Sequence, residues 1–232
     1  MFLLNYLKNE DRINNFFSDF GLLIHEILEK YFRNELEIFE LSQYYENNYV
    51  LKVISPPPPY PPNMAESYYM SGLNFLNNFS FDKSEYDVIS IEDKIKTTYI
   101  DSKLVIKPDI VLKNKKTGIV TLMDYKTSNP MKGKKLDEKK IEEYRKQMYL
   151  YSYFINHVTD IKISNIKLWF IRFDKWDEFD YNENDAIKVV NWFYNTINKI
   201  KQEENFSPAD LIKNKYFCNN ICSFRNTCKY VN

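Results

Sequence analysis

Glycine is scarce, with four in 232 residues, at positions 21, 72, 118 and 133. Loops that cradle phosphates need several glycines close together. Neither the GxGxxG nor the Walker pattern occurs, which excludes dinucleotide-binding and P-loop chemistry. An excess of either charge is also missing, because Lys plus Arg and Asp plus Glu both total 32. Net charge therefore advertises no nucleic-acid binder, and any surface for a polyanion must be local. No stretch approaches the ~20 apolar residues that span a bilayer. The opening "MFLLNYLKNED" is too short an apolar run for a secretory signal. Cysteine is confined to Cys218, Cys222 and Cys228. An odd number of thiols without a signal argues against a disulfide framework and for a reducing compartment. These absences predict a cytoplasmic protein with no membrane partner.

What is present is a core. Hydrophobic residues make up 44% of the chain and aromatics 17%, enough for one full domain. Helical spacing of Ile24, Ile27, Leu28 and Tyr31 predicts a helix over 18–32, with Ser18 or Asp19 as its cap. A polar-aromatic helix is expected near 38–49. Residues 56–62, "PPPPYPP", hold six of the nine prolines and predict an extended connector. A helix over 65–79 follows. From residue 86 the texture turns β-branched, predicting strands near 87–92, 94–100, 103–113 and 118–126. "DS" (101–102) and "NKKTG" (114–118) are the expected turns. Ile141, Tyr144, Met148, Tyr151 and Ile155 step by helical intervals and predict a helix over 139–157. A strand over 165–174 and a helix over 185–203 precede the cysteine tail.

The hairpin around "NKKTG" carries the chemistry. If it pairs symmetrically about the turn, facing positions sum to 233, and Asp109 then faces Asp124. Their Cβ atoms would lie about 5 Å apart, with Lys126 two residues along on the same face. Two facing carboxylates among apolar neighbours repel one another and lose solvation. A divalent cation with oxygen ligands, Mg²⁺ or Mn²⁺, would relieve both costs. The competing arrangement is a slipped register in which one Asp sits in a turn and Lys126 merely pairs with Asp124. His25 lies inside the apolar run "LLIHEIL", where a lone histidine is commonly a satisfied core residue. Gln147 and Tyr151, four apart, share one helix face.

Together these residues resemble a known family. Pro108–Asp109, a gap of fourteen residues, then Asp124-Tyr125-Lys126 spells the PD-(D/E)XK nuclease signature. "GxxxHEILE" from Gly21 to Glu29 and "QxxxY" from Gln147 to Tyr151 are similar to the RecB-like exonuclease branch. "NNFFSDFGLLIHEILEKYFRNEL" and the proline segment look like phage-encoded members. The resemblance implies a restriction-endonuclease-like α/β fold, an αβββαβ core with a mixed central sheet flanked by helices. It implies a nuclease domain over 1–205 with a helical insertion at about 35–82, and a cysteine tail over 206–232 packed on the same domain.

The resemblance also implies roles. Asp109, Asp124, His25 and the Tyr125 carbonyl would ligate Mg²⁺ or Mn²⁺, and Lys126 would orient or deprotonate the attacking water and stabilise charge on the phosphate. Gln147 and Tyr151 would hold the DNA backbone or the site's frame, and Glu92 occupies an acidic position before the hairpin. The expected activity is a metal-dependent DNA exonuclease in processing, recombination or repair, with DNA as partner and a helicase or annealing protein beside it. The rival is a nuclease-fold module that binds DNA without cutting it. Cys218, Cys222 and Cys228 resemble three ligands of a 4Fe-4S cluster, whose fourth lies near the N-terminus in relatives; this chain has no cysteine before residue 218. Zinc, with His157 as fourth ligand, is the alternative. The basic run Lys132, Lys134, Lys135, Lys139, Lys140, Arg145 and Lys146 is expected to be either a solvated face or a phosphate contact.

Overall fold

The computed structural model describes residues 13–133, 135–203 and 211–228. Helix α1 (Phe16–Phe32) begins at Asn15, not at Ser18 or Asp19. The Asn15 side chain accepts from the Phe17 and Ser18 amides, and the Ser18 hydroxyl closes a reciprocal capping box. Helices α2 (Leu41–Lys52) and α3 (Met64–Asn77) pack with α1 into one layer, α2 touching both of the others. The proline segment between α2 and α3 is irregular and is anchored where the buried Asp19 carboxylate accepts from the Ser55 amide at 2.9 Å.

Nine strands follow: β1 (Tyr86–Ile91), β2 (Ile95–Tyr99), β3 (Ser102–Ile106), β4 (Ile110–Asn114), β5 (Val120–Lys126), β6 (Met131–Lys132), β7 (Lys135–Leu136), β8 (Asn165–Phe170) and β9 (Lys175–Asp180). The central sheet is mixed and five-stranded, in the order β1-β4-β5-β8-β9. Only β5 and β8 run parallel, joined by helix α4 (Glu138–Val158) as a crossover. Helices α5 (Glu183–Gln202) and α6 (Leu211–Asn220) complete the described chain. The α/β class and the helix-flanked mixed sheet are those the sequence predicts.

Alternation along the strands builds two cores. Ile110, Leu112, Met123, Tyr125 and Trp169 face α1, α2 and α3. Val111, Leu122, Ile166, Leu168 and Phe170 face Ile141, Met148 and Ile155 of α4.

Three details differ from expectation. The strand expected over 103–113 breaks at Lys107–Asp109, because Pro108 lacks an amide for the ladder. Its first half pairs instead with β2 in a separate hairpin, whose turn is Ile100–Asp101, one residue before "DS". The strand expected over 165–174 ends at Phe170 in a short 3-10 turn and returns as β9.

The hairpin register is the symmetric one. Ile110 pairs with Met123, Val111 with Leu122, Leu112 with Thr121 and Lys113 with Val120, so the facing positions all sum to 233. Asn114 organises the turn by accepting from the Lys116 and Thr117 amides, and Gly118 takes the positive φ of +75° that closes it.

Candidate active site

The site lies where β4 begins and β5 ends. Asp109 sits one residue before β4, and its Oδ2 accepts from the Tyr125 amide at 2.7 Å. Asp109 and Asp124 are the next positions along the register that pairs Ile110 with Met123. A bulge between Val88 and Ser90 shifts β1 by one residue relative to β4. The shift lets the Glu92 amide donate to the Asp109 carbonyl at 3.1 Å. Glu92 itself takes a left-handed backbone (φ 55°), strain of the kind that gathers at functional sites.

Helix α1 brings His25 over the same point. Its Nε2–H donates to the Tyr125 carbonyl at 3.0 Å, so in the neutral imidazole the lone pair is on Nδ1. Nδ1 stands 3.5 Å from Asp109 Oδ1 and 4.0 Å from Glu92 Oε1. Ligand atoms of His25, Glu92 and Asp109 lie within 4.8 Å of one another, a spacing suited to one ion. Histidine ligands to metals ordinarily fix their tautomer by such a bond to a carbonyl. The Tyr125 carbonyl, expected as a metal ligand, here accepts from His25.

Asp124 lies beside this trio, outside the three-residue cluster. It is buried, at 4% exposure, and its Oδ2 meets Lys126 Nζ at 2.5 Å. That contact is an ion pair without hydrogen-bond geometry, so Oδ2 is otherwise unsatisfied. Burial, then the charge of Asp109, pushes the Asp124 carboxyl up to about 6, against the pull of Lys126. Burial would also raise Asp109, but the hydrogen bond and charge of His25 and the Tyr125 amide outweigh it and hold Asp109 below the usual range. Burial would depress His25, and Asp109 reverses that, leaving the imidazole raised. Opposite shifts of two adjacent carboxyls are the mark of like charges sharing one buried place, a pattern that gathers at functional sites. The donor set, one imidazole nitrogen beside carboxylate oxygens, fits a hard divalent cation.

Lys126 is half-buried beneath α4. Its Nζ donates to Gln147 Oε1 at 3.2 Å and lies 5.0 Å from the Tyr144 ring centroid. The Tyr144 hydroxyl bonds Ser128 Oγ at 2.7 Å. Gln147 thus touches the site's frame, whereas Tyr151 packs against the α4-side core.

Two groups escaped the sequence reading. Lys107 forms an ion pair with Glu92, and Tyr144 walls Lys126. Lys107 adjoins the signature, but nothing in its spacing distinguishes it from other surface lysines. The basic run resolves unevenly. Arg145 is bound by Asp177 through Nε at 2.7 Å and Nη2 at 2.5 Å, Lys146 pairs with Glu143, and Lys140 donates to the Asn129 carbonyl. Lys132, Lys135 and Lys139 have no ion-pair partner among the described residues, and Lys134 lies outside them.

The cysteines stand far from this point. They sit at the end of α6 and in the turns after it, against the N-terminus of α1. Asn15 Nδ2 donates to the Ile221 carbonyl, the Ile13 amide to the Ser223 carbonyl, and Arg225 Nη2 to the Asn14 carbonyl. Cys218 is buried, Cys222 and Cys228 are half-buried, and all three are free thiols. His157, the alternative zinc ligand, is held instead by Glu183 at 3.4 Å and stacked on Tyr153.

Residues 2–229 match the family model of the PD-(D/E)XK nuclease superfamily. The chain belongs to that superfamily. Among solved structures, it is similar to a candidate exonuclease from Eubacterium rectale at 11% identity, with 91% of this chain and 83% of that one covered and a TM-score of 0.50. Such a likeness shows a shared fold. The structure of SSO0001 is more distant, with 17% identity, coverage of 83% and 80%, and a TM-score of 0.38. No curated protein matches the sequence. Membership makes the chain a nuclease, and divalent metal the cofactor such nucleases typically use. No helix among the described residues is long and apolar enough to cross a membrane.

Proposed function

We propose that this nuclease is a Mg²⁺- or Mn²⁺-dependent exonuclease that hydrolyses phosphodiester bonds in DNA during processing or repair. The observation that carries the reading is the meeting of His25, Glu92 and Asp109 within 4.8 Å, beside the ion pair of the buried Asp124 with Lys126. Asp109, Asp124, His25 and Glu92 hold the ion in this reading. The bound ion supplies Lewis acidity toward a phosphoryl oxygen and lowers the pKa of water.

The chain's own residues do the rest. Lys126 keeps its proton, because Asp124 counters the effect of burial and leaves the ammonium above its ordinary value. It therefore acts as a fixed cation where charge develops on the phosphate, and it orients the nucleophilic water. Gln147 fixes the ammonium's direction by accepting a hydrogen bond from it at Oε1. His25 offers Nδ1 because the Tyr125 carbonyl holds the proton on Nε2. Exonuclease rather than endonuclease action is supported by the RecB-like helix motif around His25 and by the fold shared with the Eubacterium rectale protein.

Labelled single- and double-stranded DNA incubated with Mn²⁺ tests the reading. The wild type should release short products from an end and leave circular DNA intact. Asp124→Ala should lose about a thousandfold or more in rate, the scale on which removing a group that stabilises transition-state charge is felt. Wild-type cleavage no faster than that of Asp124→Ala would sink it.

A further inference from the structure

A second concave surface opens two strands away from Asp124, on the other face of the sheet. Tyr125 of β5 is aligned with Trp169 of β8, which pairs with Trp176 of β9. The indoles of Trp169 and Trp176 stack with centroids 4.2 Å apart, and Phe79 stacks on Trp169 at 5.6 Å. The result is an aromatic pile whose outer member, Trp176, is 38% exposed. It borders a cleft of about 710 Å³ that also presents Phe81, Phe173, Asn74 and Asn78. Ligand clefts have this size, and here aromatic walls alternate with polar groups such as Ser71, Asn74 and Asn78.

Arg172 enters the same cleft without an ion-pair partner among the described residues. Its guanidinium lies 3.4 Å from the Tyr68 ring centroid, and Nε donates to Ser71 Oγ at 3.1 Å. Burial lowers its pKa, and the neighbouring Tyr68 and Tyr45 only partly offset that. A half-buried guanidinium with no carboxylate is suited to an anionic ligand. Lys167 adds a cation 5.8 Å from the Trp176 ring, although Glu178 already pairs with it at 3.2 Å. Asp174 is the acid in the cleft, and its carboxylate accepts from Trp169 Nε1 at 3.3 Å.

A partly exposed indole and a guanidinium without an ion-pair partner among the described residues, lining one cleft, match one nucleotide: a base for the ring and a phosphate for the cation. We propose that the cleft between Trp176 and Arg172 is a holding subsite for one nucleotide of single-stranded DNA. The inference rests on the nuclease reading for its choice of polymer. β5 and β8 run parallel, so the cleft and Lys126 share the C-terminal end of these strands. A strand reaching the site over that edge would be gripped about 10 Å to one side.

Fluorescence anisotropy of a labelled oligothymidylate in EDTA tests this without cleavage. Trp176→Ala should weaken binding roughly five- to hundredfold, the range for loss of one base stack. Trp176→Phe should restore most of it. Asn74→Glu, an exposed change that places an anion in the cleft, should also weaken binding. Trp176→Ala and Asn74→Glu both binding like the wild type, with unchanged melting, would overturn the subsite even if the wild type cuts DNA. A wild type that does not bind the oligomer would overturn it too. Weakened binding by both variants in a protein that never cuts would uphold the subsite and remove the exonuclease reading.

Discussion

Asp124 is the residue on which the site's electrostatics turn. Its carboxyl is buried beside Asp109, and its pKa is raised from 3.8 to about 6. A group whose folded pKa is raised stabilises the fold below the unfolded value, and that contribution is lost as pH rises through the folded value. The metal-free protein should therefore lose on the order of 1–3 kcal/mol from this group between about pH 4 and 6. Asp109 shifts the opposite way, so its contribution changes below about pH 4, outside that window. The difference between wild type and Asp124→Asn isolates the Asp124 contribution. Urea midpoints measured in EDTA should fall across that window more steeply for the wild type than for Asp124→Asn, and Mn²⁺ should narrow the gap. Equal slopes would mean that Asp124 ionises without cost. The facing pair was readable from sequence because a turn with a clear centre dictates which residues oppose one another. Glu92 was less readable, because its approach depends on a bulge that no residue pattern announces.

At the scale of elements, the helices of the α1 side depend on one glycine. A Cβ added at Gly72 of α3 would lie 2.5 Å from the hydroxyl and 2.7 Å from Cζ of Tyr45 on α2. Tyr45 is fully buried and donates to the Tyr69 carbonyl at 3.1 Å, so its ring cannot swing clear. Gly72→Ala should cost about 1–3 kcal/mol of stability by overpacking, read as a lower urea midpoint. The maximal cleavage rate of the folded fraction should stay unchanged. The helices and the hairpin were legible because periodicity and turn chemistry are local signals. β9 was not, since "KWDEFD" is an acidic edge strand, and charges that guard an edge mask the alternation. The break at Pro108 was legible in principle, as proline cannot donate to a ladder, and it is the break that frees Asp109 from β4.

For the whole molecule, the cysteine tail and the metal cluster meet α1 at separate points. Asn15, which meets the tail, and His25 are about 15 Å apart by helical rise. Hydrogen bonds from Ile13, Asn15 and Arg225 join the tail to the start of α1. Replacing Cys218, Cys222 and Cys228 together by Ser should lower the melting temperature and leave the cleavage rate of the folded protein near that of the wild type. A collapse in rate without a change in melting would give the tail a catalytic role. The tail was legible as a ligand-like cluster because thiols are otherwise absent. Its docking on α1 was not, since Asn15 and Ile221 stand 206 residues apart and leave no mark in local pattern.

The central claim is that one divalent ion is shared by α1, the end of β1 and the β4–β5 hairpin. Anomalous diffraction from crystals soaked in Mn²⁺ tests it most directly. The account predicts a peak within about 2.0–2.3 Å of oxygens from Asp109 and Asp124 and of His25 Nδ1, with Glu92 in or next to that shell. A protein that cuts DNA with Mn²⁺ but shows its peak elsewhere would contradict it.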